Sequence, residues 1–435
     1  MPDTVKTENI DLDALLSKGS RLADEVEIYT ASFNDLTLEQ RGTDISSLFE
    51  HAETMVYFRV VKDKKIGISA TSDVTKLKEA LSAAVSSAKL SDTVIGWNGF
   101  PEKQEIPAGE NPIDKDLEIS AETAAGYLSR MNAGAAKYPE ARPVSGAVTI
   151  SKGRSVLVNT NGICLEREFS DITLGMDAIC EDSTGYSYDS SPFSARLNPE
   201  KIGEEATYFA SSSRNGVNIE SKKYDVVFSE DAADALILEL FSEAVNGRNI
   251  LTGKSVYAGK LVGAVASPEI SITDVPMKKE GDAWRRFDTE GTPAHDLSII
   301  RNGVLQSYLY DAKTAAQAGA ASTGHAHRTG NGSTVISPHC LTISAPEEDV
   351  LEKPCLYVKE VIGAHTANPL TGEFSVESAN AYLAEGEEFV QPVKKAMLAG
   401  NVFDILKGNL TISKETKSLS GALVPKMRIP NLQVI

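Results

Sequence analysis

This chain has no run of eighteen or more apolar residues, whereas a membrane-spanning helix takes about 20. Its first twenty residues, MPDTVKTENIDLDALLSKGS, are charged and polar where a secretory signal would be hydrophobic, so a cytoplasmic protein is expected. Cysteine is scarce: Cys164, Cys180, Cys340 and Cys355 stand far apart with no CxxC spacing, which favours reduced, mostly buried thiols over a disulfide framework or a zinc ribbon. Positive charge is in deficit, with 43 Lys and Arg against 61 Asp and Glu and a net charge of −18. Such a field repels phosphate backbones and anionic lipid, so neither nucleic acid nor a membrane is an expected partner. An acidic excess serves solubility before function and names no partner of its own.

Familiar catalytic signatures are missing as well. There is no Walker loop, no strand followed by GxGxxG, and no GxSxG elbow. TGHAHRTGNGST is rich in glycine but lacks the lysine of a phosphate cradle. No low-complexity segment or sustained heptad appears, and no exact internal repeat.

What is present points to an α+β protein. A chain of 435 residues with 41% hydrophobic content can bury two or three cores. VEIYTASF and MVYFRVV carry the β-branched and aromatic residues of strands, with KKIGISAT as hairpin partner across the charged turn KDKK. From Ser72 the period changes: Val74, Leu77, Leu81, Ala84, Val85 and Ala88 fall on one helical stripe. The Pro- and Gly-rich segment NGFPEKQEIPAGENPIDKD reads as an exposed crossing, and SAETAAGYLSRMNAGAAKY as the next helix. Residues 143 to 213 look β-rich, with turns expected at SKGR and NTNG. KYDVVFS opens the second half as a strand, after which Ser229 is expected to cap a helix. The expected division is an N-terminal α+β domain over 1–110, a middle β-rich region over 111–220 and a strand-rich C-terminal domain over 221–435.

Metal chemistry has one candidate in composition alone. His325 and His327 would share a face on a strand, with His339 and Cys340 downstream and His365 further on. An HxH in a polar, glycine-rich loop reads first as solvated histidine, because a metal site needs ligands that converge in space. Serines and carboxylates are too many to single out a nucleophile or a base.

Residues 237–250, ILELFSEAVNGRNI, place a glutamate among small residues where a helix is expected to stop. This stretch and its continuation to ISITD are followed by FDTEGTPAHDLSIIRNGVLQSYLYDAKTAAQAGAASTGHAHR and then by YVKEVIGAHTANPLTGEFSVESANAYLAEGEEFV. In that order the blocks resemble the C-terminal domain of the PmbA/TldD family, and the N-terminal strands and helices fit the family's smaller domain. TldD members are metallopeptidases whose helix ends in HExxxH and whose third ligand is a cysteine near the C-terminus. Two ligands five residues apart point about 140° away from each other on an ideal helix, so both reach one ion only if the helix distorts or ends between them. Carried over, the first His falls on Ser242, the glutamate on Glu243, the second His on Gly247 and the Cys on Ser420.

Neither a serine hydroxyl nor a glycine supplies the imidazole or thiolate that holds zinc. Without the ion, a water keeps a pKa of about 15.7 and is a poor nucleophile, so Glu243 is expected to be structural. The pattern resembles the PmbA branch, also called TldE, the companion that lacks the metal. The resemblance implies no cofactor on this chain, zinc on a TldD-like partner, and a heterodimer acting on peptides or unfolded segments, its interface formed mainly by the second half. Two other readings stand beside it: an independent enzyme with its metal moved to His325, His327 and His365, and a homodimeric peptide-binding protein.

Overall fold

The KDKK turn closes one of three two-residue hairpins in the first sheet. Asp44–Lys62 and Lys65–Thr71 meet across it, and Asp63 and Lys64 take φ of 53° and 60°, as a two-residue turn matched to the native strand twist requires. Glu25–Arg41 pairs with Asp44–Lys62 on one side and with Arg142–Asn159 on the other. Cys164–Cys180 and Ser183–Ser191 complete a six-stranded antiparallel sheet. The boundary expected near residue 110 therefore runs through a single sheet, to which each side contributes three strands. The computed structural model describes residues 6–7, 10–282, 284–386, 388–419 and 421–435.

Helices cover this sheet in two groups. Leu81, Ala84 and Ala88 of Leu77–Leu90 pack on Val26, Ile28, Phe58 and Val60, the stripe expected from the sequence, although Val74 is exposed. Ala121–Ala135, capped by Ser120, packs with Pro199–Ser212 over Leu36, Val148, Ile150, Ile172 and Leu174. Two expectations fail here. SKGR is no turn but lies inside Arg142–Asn159, because both neighbouring strands pair straight through it, with Asp35 opposite Ser151 and Ser170 opposite Lys152. Phe169 covers the gap at Gly153, its Cζ 2.3 Å from where a Cβ would stand. The β-rich stretch ends in helix Pro199–Ser212, whose Asn198 side chain accepts a hydrogen bond from the Lys201 amide at 3.2 Å, an Asn-Pro helix start.

In the second half, Lys223–Phe228 pairs parallel with Cys355–Ile362 and antiparallel with Ala422–Val434. Pairing passes from Cys355–Ile362 to Glu373–Glu385, then to Met397–Asn401 and back to Ala422–Val434. Five strands thus close a ring in which each has a partner on both sides. Ser271–Asp274, Leu297–Arg301, Val304–Leu305 and Leu341–Ser344 extend the sheet outward. The chain leaves Phe228 directly into the expected helix: Ser229 Oγ accepts from the Ala232 amide at 3.2 Å. Ala232, Leu236, Ile237, Phe241 and Val245 then fill the core with Val358, Leu398 and Val424. Among the described residues no helix is long and apolar enough to cross a membrane. Cys180, Cys340 and Cys355 are buried and Cys164 exposed, all as free thiols.

The two halves are joined by buried charge. Arg59, on strand Asp44–Lys62, donates from Nη2 to Glu27 Oε2 at 2.7 Å and from Nη1 to Glu290 Oε1. The three side chains are 3%, 1% and 0% exposed. Arg328 from the second half pairs with the other oxygen of Glu27, and Glu290 Oε2 accepts from the Ala312 amide at 2.7 Å. Burial works against the charge on Arg59, but the two carboxylates outweigh it and hold the guanidinium firmly protonated. Removing one member of such a network leaves uncompensated charge inside the protein. Arg59→Met is expected to lose about 3–5 kcal/mol of stability by urea unfolding, and the triple variant Arg59→Met, Glu27→Gln, Glu290→Gln to recover part of that loss.

Candidate functional site

The helix that begins at Ser229 does not run evenly. Glu230–Ala233 is α-helical, Asp234–Leu238 widens to a π turn, and Glu239–Val245 returns to α geometry. Widened turns of this kind occur mostly as single-turn bulges, frequently at functional sites. At Asn246 the backbone leaves the helix, with φ of −65° and ψ of 118°, and a short helix follows over Gly247–Leu251. The break is held from outside: the Gly247 amide donates to Leu309 O at 2.8 Å, and the Leu309 amide donates to Val245 O at 3.0 Å. Asn246 Oδ1 then accepts from the Arg248 amide at 3.0 Å and starts the next turn. The stop expected between the two motif positions is present.

Around it lies a cavity of about 430 Å³ lined by Ser242, Glu243, Asp234, Glu239 and Arg248, among others. Ser242 Oγ donates to Leu238 O at 2.8 Å, so the hydroxyl is spent on its own helix. Glu243 accepts from Asn249 Nδ2, on Oε2 at 2.7 Å and on its carbonyl at 2.9 Å, which ties the glutamate across the break. Burial, with Glu239 and Asp231 nearby, pushes the Asp234 carboxyl up to about 6.

The residues present do not fit a zinc ion at the motif positions. Ser242 offers an engaged hydroxyl, and Gly247 leaves no space for a larger residue. A Cβ there would stand 2.3 Å from Tyr310 Cδ1, 2.5 Å from its Cε1 and 2.6 Å from Leu309 O. The ring of Tyr310 thus occupies the room that the second imidazole of an HExxxH motif would need. Ser420, matched to the third ligand, lies outside the described residues.

The histidines behave differently from the solvated pair expected of the loop. His325 and His339 are each 1% exposed, with ring centroids 5.0 Å apart, and His327 lies 5.0 Å from His339 on the other side. Strand pairing explains the burial: Ala326–Arg328 joins Thr334–Ile336 in a short ribbon, and the chain then carries His339 back against His325. Asp274 is the hub, its Oδ1 accepting the amides of His339 at 2.9 Å and Cys340 at 2.7 Å, its Oδ2 lying 3.1 Å from His325 Nε2. Asp274, His325 and His339 place ligand atoms within 4.8 Å of one another and form a group able to hold a cation. The members differ from the set named from the sequence, since His365 sits exposed on the turn Ala364–Thr366. Asp274 carried no signal in the sequence, because only tertiary folding brings it 51 positions back to His325. His339 donates from Nε2 to Gly324 O at 2.7 Å, and burial lowers its pKa, so the ring is neutral and its Nδ1 has no hydrogen-bond partner.

Two outcomes follow for the motif region. Gly247→Ala is expected to cost about 1–3 kcal/mol in urea unfolding through overpacking against Tyr310, and Gly247→His at least as much, with no gain in zinc by elemental analysis. Because Asp234 titrates near 6 when folded and near its ordinary 3.8 when unfolded, the folded state holds the extra proton and stability falls as pH rises between about 4 and 6. Asp234→Asn is expected to flatten that decline and to stabilise the protein at pH 7 by on the order of 1 kcal/mol, after allowance for solvent screening of a half-buried group.

Residues 221–435 match the family described as the PmbA/TldA metallopeptidase C-terminal domain, and residues 114–214 match its central domain. A protein of Methanocaldococcus jannaschii is 26% identical over 97% of this chain and 100% of its own length. A metalloprotease PmbA homolog of Haemophilus influenzae is 24% identical over 93% of this chain and 91% of its own. The fold is shared with the crystal structure of TldE from Thermococcus kodakarensis, at a TM-score of 0.88 and 24% identity over 97% of this chain and 99% of that one. It is shared equally with a modulator-of-DNA-gyrase protein of Thermotoga maritima, at a TM-score of 0.88 and 24% identity over 98% and 100%. With the central and C-terminal domains both matched and the fold preserved end to end, this chain belongs to the PmbA/TldD metallopeptidase family.

Proposed function

We propose that this chain is the non-catalytic subunit of a two-chain peptidase, pairing with a TldD-like zinc metallopeptidase and helping to enclose a peptide or unfolded segment. The observation that carries the reading is Gly247, where Tyr310 fills the position of a ligand. Ser242 and Glu243 support it, since both are bound to their own helix or to its continuation. A base alone would supply only part of a peptidase's rate, and a metal-free water resists deprotonation. Zinc, in this reading, resides on the partner.

A second reading is favoured by the convergence of Asp274, His325 and His339: an enzyme with a relocated metal. Weighing against it, both ring nitrogens of His325 are already engaged, Nδ1 with Thr323 Oγ1 at 2.9 Å and Nε2 with Asp274 Oδ2 at 3.1 Å, and an imidazole ligates through a free ring nitrogen.

The test is peptide hydrolysis by the chain alone, by the chain mixed with a TldD-like subunit, and by the Glu243→Ala mixture, with zinc measured on each. Cleavage is expected only in the mixtures, and Glu243→Ala is expected to change it less than about twofold, since the general base belongs to the partner's metal site. One zinc per lone chain, lost on His325→Ala, would replace this reading with the relocated site. Loss of cleavage by the Glu243→Ala pair, with the heterodimer intact by light scattering, would make Glu243 a catalytic residue.

A further inference from the structure

Between the two sheets lies a second cavity, of about 390 Å³, which adjoins the one at the helix break through Gly421 and Ala422. Its walls come from both halves. The first sheet presents Tyr29, Arg167 and Phe169, and the second half presents Arg285, His327 and His339. Burial together with Arg285 pushes the Arg167 guanidinium down to about 9, and burial lowers Arg285 against the pull of Tyr29 and Asp288. Neither forms an ion pair among the described residues, and the Nε of each is buried without a hydrogen bond. His327 Nε2 and His339 Nδ1, on the same walls, are also buried and unpartnered, and His339 is 1% exposed.

Other charges at the cavity are already matched or single. Arg328 pairs with Glu27. Asp282 receives Arg196 Nη1 at 2.7 Å and Ser191 Oγ at 2.9 Å. Asp171 accepts from Thr173 Oγ1 at 2.9 Å and forms no ion pair among the described residues. The balance left over is two guanidiniums against one carboxylate. Half-buried cations without ion-pair partners are unfavourable in an unliganded protein, and forked guanidiniums match the planar geometry of an oxyanion. Tyr29, Phe169, Pro112 and Pro192 add apolar surface beside them, the mixed lining typical of a ligand site.

We propose that this cleft is an oxyanion site in which Arg167 and Arg285 bind a carboxylate, that of a peptide end whose last side chain lies against Tyr29 and Phe169. The choice of a peptide rests on the proposed function, whereas the oxyanion chemistry does not. Phosphate shares that chemistry, so the experiment must separate the two sources.

The measurement is calorimetric titration of the full chain, without any partner subunit, by N-acetyl-Ala-Ala-Phe as free acid, by its C-terminal amide and by inorganic phosphate. The free acid is expected to bind and the amide at least tenfold more weakly. Arg167→Gln and Arg285→Gln are each expected to weaken the acid at least tenfold, with Arg285→Lys closer to the parent. Since a variant that unfolds would also lose binding, the melting temperature of the unaltered chain provides a second readout. It should rise with the free acid and not with the amide. Phosphate binding with the same arginine dependence, and no binding of the acid, would keep the oxyanion site and overturn the peptide as its source. Equal affinity for acid and amide, acid binding that neither arginine variant alters, or no binding of either anion at millimolar concentration would overturn the site. Because the partner is absent, failure here leaves the heterodimer reading to its own test.

Discussion

The buried network of Glu27, Arg59, Glu290 and Arg328 is the constraint on which the relation of the two halves depends. Glu27 and Arg59 come from adjacent strands of the first sheet, Glu290 and Arg328 from loop and ribbon of the second half. Charges taken this far from water are stable only in near-ideal geometry, so the network tolerates little displacement of one half against the other. Its satellites extend that rigidity. Glu290 also accepts the Ala312 amide, and neighbouring Asp288 accepts the amides of Glu290, Thr292 and Ala326. Hydrophobic contact follows the same seam, with Ala312 and Ala316 packed beside Trp97 and Phe100.

That fixed seam gives the cleft between the sheets its character. Arg167 and Arg285 both line it, one carried on a strand paired within the first sheet and the other on a loop of the second half. A flexible junction would let the two guanidiniums turn to solvent. The helix break is constrained in a comparable way: Leu309 bonds both sides of it and Tyr310 fills the space beside Gly247. At Gly247 the ring of Tyr310 lies against the backbone where a side chain would start.

Much of the secondary structure was legible because its signals are local. The helix stripe of Leu81, Ala84 and Ala88, the Ser120 and Ser229 caps, and the KDKK hairpin each depend on residues within a few positions of one another. SKGR misled for the complementary reason: its turn composition is local, but pairing on both sides with strands far away in the chain holds it extended. The burial of the histidines was equally out of reach, since a polar, glycine-rich loop says nothing of the aspartate that will fold against it.

The sequence by itself determined the family, the α+β class and the absence of ligand side chains at positions 242 and 247, because residue identity and order are sufficient for each. Only the tertiary structure decided that position 247 has no room for a ligand, that Asp274 and not His365 joins the histidines, and that two arginines from different halves line one cavity. The physical reason is common to all three. Volume, hydrogen-bond saturation and charge balance are properties of groups distant in the chain and brought together by packing, and no local pattern encodes them.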